Sequence, residues 1–147
     1  MSAVPTMALP SPGERHALLE YEADDLLGEY IYGAFIDSWT HRRRTATGQD
    51  FVLLGRGRRP TLAQIELWLE IERRLDSLLA ESIRAVPPPP DRADLYYPTI
   101  LRLAQIRLER DGSVQVFLSA KDVDDAIGLA PQIIFRDWTL NCARWVP

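Results

Sequence analysis

Apolar and polar positions divide the chain into a strand-rich beginning, a helical middle and a strand-rich end. Residues 30–36 are mostly aromatic and β-branched, which is typical of a strand, and residues 51–54 form a second apolar run. The stretch between them, residues 41–49, is polar and contains a glycine. The pattern predicts an antiparallel hairpin with residues 41–49 as its loop. Upstream, residues 14–27 mix apolar and acidic positions, which fit either a short helix or an edge strand, and we favour the helix.

A helix is predicted over residues 61–85. Thr61-x-x-Gln64 forms a capping box, whose side chains can satisfy backbone amides at a helix start. Projected at 100° per residue, the apolar positions spread over about 200°, whereas a helix on one sheet needs only about 100°. The surplus side contains Leu67, Ile71 and Leu78. We expect it to be covered either by another segment of this chain or by a partner, such as a second copy in a homodimer.

The end of the chain predicts four strands. Apolar runs at residues 100–109 and 114–118 flank Asp111-Gly112, a dipeptide that favours a tight hairpin turn. Runs at residues 132–135 and 139–146 predict a second hairpin. The C-terminal half should therefore form a four-stranded meander.

Strands on both sides of a helix, without alternation of strand and helix, predict an α+β fold. The expected architecture is an antiparallel sheet, made of the hairpin and the C-terminal meander, packed on one long helix. Residues 1–13 are rich in Pro, Ser and Ala and are interpreted as a flexible N-terminal tail. Residues 14–147 then form a single domain, which is long enough to bury a core. Pro87–Pro90 ends the helix, because proline cannot continue it.

Composition narrows the range of functions. The chain is 46% hydrophobic and 26% charged, as in average globular proteins, and no apolar run approaches the roughly 20 residues that span a bilayer. A net charge of -4 argues against a general nucleic-acid binder. Cys142 is the only cysteine, which excludes an intramolecular disulfide and favours a reducing compartment. The N-terminus lacks the charged region of a secretory signal. We therefore expect a cytoplasmic protein without membrane association.

Motifs for catalysis are incomplete in this sequence. Gly55-Arg56-Gly57 begins like a dinucleotide fingerprint, but Pro60 stands at the third glycine position. The sole lysine, Lys121, does not follow a phosphate-binding glycine loop, and no Gly-x-Ser-x-Gly elbow occurs. No catalytic or cofactor-binding residue is predicted. Acid–base catalysis by two carboxylates stays an alternative, because their separation is a property of the folded chain.

An acidic segment, Asp122-Val123-Asp124-Asp125, has the clustered carboxylates that hard cations prefer. A calcium-binding loop would also need glycine at Ile127 and glutamate at Ile133, so no metal is predicted. We interpret the segment either as a solvated loop or as a negative patch for a basic partner. In the second interpretation Asp122, Asp124 and Asp125 bind the partner.

Aromatic and basic residues give further candidates for contacts with a partner. Trp39 and Trp138 fall at predicted strand ends or turns, where exposed tryptophans would suit an interface, with packing in the core as the alternative. The basic clusters at residues 41–44 and 56–59 would lie at opposite ends of the first hairpin, roughly 20 Å apart at about 3.3 Å per residue. They are interpreted as solvated loops, and His16 and His41 as surface residues.

The last third of the sequence resembles a known group. Leu101-x-Leu103-x-x-Ile106-x-Leu108 leads into Asp111-Gly112-x-Val114-x-Val116, followed by the acidic loop, Ile127-Gly128 and a final strand pair. This order, after an aromatic strand pair and an Ala/Leu-rich helix, resembles bacterial domains of unknown function found among the immunity proteins of polymorphic toxin systems. The group's frequent Gly-His pair is replaced here by Gly128-Leu129. The resemblance implies a cytoplasmic protein that blocks a toxin through an acidic or aromatic surface.

Three functions follow as hypotheses. The first is a non-catalytic, immunity-type inhibitor, or antitoxin, that binds a cognate bacterial toxin, expected to be a basic domain. The second is a self-associating adaptor or secretion chaperone that uses Leu67, Ile71 and Leu78. The third is an unrecognised small hydrolase or ligand-binding enzyme.

Overall fold

A computed structural model describes residues 19–25, 27–89, 101–119 and 129–147. In chain order its elements are β1 (Leu19–Asp24), β2 (Gly28–Gly33), β3 (Ser38–Arg44), β4 (Asp50–Arg56), α1 (Leu62–Arg73), α2 (Leu75–Ala85), β5 (Arg102–Leu108), β6 (Val114–Ser119), β7 (Ala130–Arg136) and β8 (Thr139–Val146). The predicted tail, residues 1–13, lies outside the described residues.

The strands form one eight-stranded sheet in the order β1-β2-β3-β4-β5-β6-β7-β8. Every neighbouring pair is antiparallel except β4 and β5, which are parallel. Parallel strands need a crossover connection, and here α1 and α2 lie within it. The sheet is therefore two four-stranded meanders joined side by side through β4 and β5.

The predicted fold class was wrong. The expected sheet packed on one long helix is instead one mixed sheet with two shorter helices. Residues 19–24, which were assigned to a helix, form the edge strand β1. The expected loop at residues 41–49 was also misplaced, because the whole basic cluster at residues 41–44 belongs to β3 and the turn spans only residues 45–49.

The polar strand β3 is stable because its neighbours accommodate its long side chains. Arg43 lies over the ring of Trp68, 5.3 Å from the centroid, and donates to Glu72 at 2.6 Å. Arg44 pairs with Asp50 at 2.9 Å across the strand pair. The preceding turn makes β2 end at Gly33, earlier than expected, and leaves Phe35 and Ile36 exposed.

The capping box at the start of α1 is confirmed. Thr61 Oγ1 accepts from the Gln64 backbone N at 3.1 Å, and Gln64 Oε1 accepts from the Thr61 N at 3.0 Å. The single predicted helix, however, is divided at Arg74, which has φ -108° and ψ 11°. The Arg74 N–H is shared between the carbonyls of Glu70 and Ile71, at 3.2 and 3.0 Å.

Residues of this same chain cover most of the wide apolar arc of the predicted helix. Ile71 and Leu78 are only 0% and 5% exposed, and Leu67 is half-buried against the core. Leu62 and Leu69 widen the arc without needing a cover, because they are exposed to solvent. The self-association hypothesis therefore loses the surface on which it rested.

Replacing Thr61 with Ala should lower the free energy of unfolding by about 1 kcal/mol, because the first turn of α1 loses its capping acceptor. Urea denaturation would measure the change. Ser77→Ala, which removes an exposed helical hydroxyl, is the matched control and should change stability by less than about 0.5 kcal/mol. Equal stability of the Thr61→Ala variant and the wild type would contradict the capping role.

The two C-terminal hairpins are confirmed. Leu108 pairs with Val114 around the Asp111-Gly112 turn, where Gly112 has a φ of 83°. Asp111 Oδ1 accepts from the Ser113 N and Oγ at 2.9 and 2.6 Å. These bonds, together with that from Arg136, lower the Asp111 pKa to about 2.

The turn of the second hairpin has positive φ at both Asp137 (49°) and Trp138 (64°), as a tight two-residue turn requires. This conformation is unusual for a tryptophan. The Trp138 ring is held by the helix junction, where the Arg74 guanidinium lies 4.5 Å from its centroid. The hairpin turn is thus packed against the point where α1 and α2 meet.

Trp39 packs closely against β4. Trp39 is fully buried and donates from Nε1 to Gln64 Oε1 at 3.1 Å. It pairs with Gly55, and a Cβ at Gly55 would lie only 2.1 Å from Cε2 and Cζ2 of the indole. A glycine is therefore required at this point of the strand.

Candidate functional site

The two faces of the sheet differ in chemistry. Directly paired residues share a face, and successive residues alternate between faces. The helix-side face has a row of largely apolar side chains: His41, Leu53, Ile106, Val116, Ile133 and Ala143. Contacts of Trp39 with Gln64, and of Phe51 with Trp68, place α1 on this face.

The opposite face, which we name the Arg/Gln face, consists of two cross-strand rows. The first is Arg42, Val52, Gln105, Phe117, Gln132 and Arg144, and the second is Thr40, Leu54, Arg107, Gln115, Ile134 and Cys142. The rows contain three arginines, three glutamines and no carboxylate. Cys142 is half-exposed here.

Arg107 occupies the middle of the Arg/Gln face, on the interior strand β5. Its Nε donates to Gln105 Oε1 at 2.6 Å, and its guanidinium lies 4.2 Å from the centroid of the Phe117 ring. The pKa of Arg107 is lowered, first because the side chain is partly withdrawn from water and second because Arg56 is near. Arginine stays charged nonetheless. Within the described residues, Arg107 makes no ion pair with a carboxylate.

The surrounding groups hold the other polar side chains in fixed positions. Gln132, which is buried, donates from Nε2 to Gln115 Oε1 at 3.0 Å. Arg144 donates from Nε to Gln132 Oε1, also at 3.0 Å. These two hydrogen bonds link β6, β7 and β8, and they hold the exposed Arg144 at one side of the Arg/Gln face.

The end of the Arg/Gln face is a concave region that could receive a side chain of a ligand or partner. A cavity of about 570 Å³ is lined by Arg56, Glu109, Gln115 and Ile134, among others. Arg56 donates to Glu109 at 3.3 Å and to Ser38 Oγ at 3.2 Å, so its charge is already balanced. Arg107, unlike Arg56, therefore has a positive charge that is not balanced by an ion pair among the described residues.

This arrangement is suited to binding an anion. A guanidinium has five N–H donors in a planar fork that matches a carboxylate or a phosphate. Partial burial strengthens such a bond, because little bulk water screens it. Holding Arg107 on Phe117 and Gln105 before binding also reduces the entropy lost when a partner docks.

Those residues predicted to bind a partner that the structure describes do not lie on this face. Asp122, Asp124 and Asp125 lie outside the described residues. Trp39, Ile71 and Leu78 are buried in the core, and Leu67 and Trp138 are half-buried and packed against it. The interpretation of the tryptophans as core residues is therefore the better one for Trp39.

The Arg/Gln face was missed in the sequence analysis, although a signal exists. Gln and Arg alternate with buried apolar residues in Gln105-Ile106-Arg107-Leu108, and Gln115 stands between Val114 and Val116. Such alternation indicates strands with one polar face. Only the register of β5, β6 and β7 shows that the polar positions of different strands share one face.

The two arginine clusters mostly serve the fold. Arg58 pairs with Glu20 and Glu22 and lies 4.4 Å from the centroid of the Tyr32 ring. Glu22 also accepts from the Tyr30 hydroxyl at 2.6 Å, and these bonds lower its pKa. Together these contacts attach the segment after β4 to the edge strand β1 and to its neighbour β2.

His41 should make stability pH-dependent. Its Nδ1 is bonded to the Glu29 carbonyl and its Nε2 to Arg43 at 2.9 Å, and burial lowers its pKa. The folded state therefore binds the proton less readily than the unfolded chain. We expect the free energy of unfolding to be fully retained above about pH 6.5 and to fall below it until the lowered pKa is passed.

Urea denaturation of the wild type and of His41→Gln between about pH 5 and 7.5 would measure this dependence. The variant should show a flatter profile, because the other histidine and the carboxylates are unchanged. Equal slopes in the two proteins would contradict the assignment to His41.

Comparisons with known proteins found no match, whether to a family model, a curated protein or a solved structure. No described helix is long and apolar enough to cross a membrane. In the part of the chain that the structure describes, no three His, Cys, Asp or Glu residues are grouped so as to hold a metal ion. The candidate function therefore rests on the geometry of the Arg/Gln face and on the sequence resemblance.

Proposed function

We propose that this chain is a non-catalytic, cytoplasmic binding domain of the immunity type, which neutralises a cognate bacterial toxin by direct contact. An acidic side chain of the toxin would dock on Arg107 at the centre of the Arg/Gln face. The observation that carries the proposal is this half-buried guanidinium, which is fixed by Gln105 and Phe117 and has no carboxylate partner among the described residues.

A protein partner fits this face better than a nucleic acid. The overall charge of -4 repels a polyphosphate at long range, whereas a single acidic side chain needs only local complementarity. Arginine is enriched at the centres of protein interfaces, and the glutamines and Phe117 around Arg107 supply polar contacts and apolar area. The rigid sheet presents these groups with little ordering cost.

The described surface supports a chemistry of the partner different from the one expected from the sequence. The sequence suggested a basic toxin domain that would meet Asp122, Asp124 and Asp125. The Arg/Gln face instead favours an acidic element on the toxin. The resemblance to immunity proteins supports the inhibitor role, and the acidic element specifies how the inhibitor would bind.

Co-expression with the product of an adjacent toxin-like reading frame tests the proposal. The wild-type chain should restore growth of cells that produce the toxin and should co-purify with it in a stoichiometric complex. A genomic neighbourhood without a toxin-like reading frame, together with failure to protect cells from any neighbouring product, would refute the inhibitor role.

A further inference from the structure

A turn between β2 and β3 exposes two large apolar side chains. Phe35 is 53% exposed and Ile36 is 48% exposed, and the two are adjacent in the chain. The other large apolar residues that are exposed in the described part of the chain are separate from one another in sequence: Leu62, Leu69 and Leu140. Single exposed apolar residues need no explanation, whereas an adjacent pair concentrates apolar surface at one point. The turn is therefore a candidate contact surface.

This turn is held in one conformation by its neighbours. Asp37, which has a φ of 45°, accepts from the Tyr32 hydroxyl at 2.8 Å and from Arg110 at 3.2 Å. The Asp37 carbonyl also accepts from the Gly57 N–H at 3.0 Å. A positive φ outside glycine persists where surrounding contacts hold it. The two apolar side chains thus have a fixed support, so docking against them loses little conformational entropy.

The same turn borders the concave end of the Arg/Gln face. Ile36 lines the cavity of about 570 Å³ together with Gln115, which pairs directly with Arg107. Thr40 lies in the same cross-strand row as Arg107, two strands away, and Ile36 precedes Thr40 by four residues. At about 3.3 Å per residue and about 4.8 Å per strand, the turn is roughly 16 Å from Arg107. One interface of about 800 Å² per partner, roughly 30 Å across, covers both.

The charged groups beside the turn already balance one another. Arg110 pairs with Asp37 at 3.2 Å, and Arg136 pairs with Asp111 at 2.9 Å. These pairs form a polar border without net charge, so they favour no ion. Apolar contacts inside a polar rim are the usual arrangement of a protein interface. The contact expected at the turn is therefore apolar.

We propose that Phe35 and Ile36 form a second anchor of the toxin-binding surface and contact an apolar side chain of the toxin. This inference rests on the proposed function. The toxin element that docks here then has two features, an acidic group that meets Arg107 and an apolar group that meets the turn. The cavity that links the turn to the Arg/Gln face favours the toxin over a second copy of this chain or a membrane surface as the occupant.

The double variant Phe35→Ala, Ile36→Ala should weaken binding of the toxin domain at least about tenfold in titration calorimetry, because apolar anchors contribute strongly at interfaces. The matched control is Leu62→Ala, Leu69→Ala, which removes two exposed apolar side chains from α1, on the other side of the sheet. Its affinity should be unchanged. Urea denaturation should show that the first double variant is folded, because both side chains are exposed in the free protein. Phe35→Ser alone, which leaves the rest of the turn intact, should weaken binding in the same direction.

The outcomes separate this inference from the proposed function. The expected result is a loss of affinity that keeps the salt dependence of the wild type, since the double variant removes no charge. Normal toxin affinity in the folded double variant, while Arg107→Glu binds weakly, would overturn the inference alone. So would self-association or binding to anionic vesicles that the double variant abolishes while its toxin affinity stays normal. A wild-type chain that binds no toxin would overturn the proposed function and, with it, this inference.

Discussion

Arg107→Glu is expected to weaken binding of the cognate toxin by more than about 100-fold, which corresponds to about 3 kcal/mol. The substitution places a carboxylate where the proposed acidic group of the toxin docks, so that attraction becomes repulsion. It also removes the cation from the Phe117 ring and from Gln105. Titration calorimetry with the toxin domain would measure the affinity.

Stability separates this effect from misfolding. Arg107→Gln removes a partly desolvated charge that lies near Arg56, so its free energy of unfolding should equal or exceed that of the wild type. Arg84→Glu, an exposed charge reversal on α2, is the control and should bind the toxin normally. Normal toxin affinity in Arg107→Glu, or an equal loss in Arg84→Glu, would contradict the assigned role of the face.

Gly55→Ala is expected to lower the free energy of unfolding by about 3 kcal/mol, the upper end of the usual cost of overpacking. Its new Cβ would lie 2.1 Å from two atoms of the Trp39 ring. The ring cannot retreat without cost, because it is fully buried and bonded to Gln64, which also caps α1. Urea denaturation followed by circular dichroism would measure the loss.

A double-mutant cycle identifies the cause of this loss. In a Trp39→Phe background the indole atoms that approach Gly55 are absent, so Gly55→Ala should cost about 2 kcal/mol less than in the wild type. An equal cost in both backgrounds would mean that the clash with Trp39 is not the reason for the glycine.

The features that could be predicted from the sequence depend on neighbouring residues. Thr61 and Gln64 satisfy each other's backbone groups within one turn, and this pattern is readable without the fold. Asp111-Gly112 likewise specifies its own turn. Both predictions were confirmed because the forces that determine them act over three or four residues.

The features that were missed depend on distant residues. The sequence of β3 is too polar to be recognised as a strand. The strand is stabilised in the fold because Arg43 packs on the Trp68 ring and pairs with Glu72, both on α1. The division of the helix at Arg74 accompanies the packing of its guanidinium on Trp138, which is far away in the sequence. Local propensity contains no information about either contact.

The candidate site was missed for a related reason. Arg107, Gln115 and Gln132 come from three strands, and each alone is an ordinary polar residue on a strand. They become one surface through the register of β5, β6 and β7. The clusters that stand out in the sequence are contiguous in the chain, and most of the basic residues in those clusters are neutralised by acidic partners.

The central claim is that the Arg/Gln face receives the partner. The most direct test measures NMR chemical shifts with and without the toxin domain. The signals to follow are the side-chain Nε–H of Arg107 and the side-chain amides of Gln115 and Gln132. We expect all three to shift on complex formation, while signals from the exposed side of α2 stay in place. Unchanged signals from these three side chains in a complex that shifts α2 or the turn at Phe35 and Ile36 would contradict the claim.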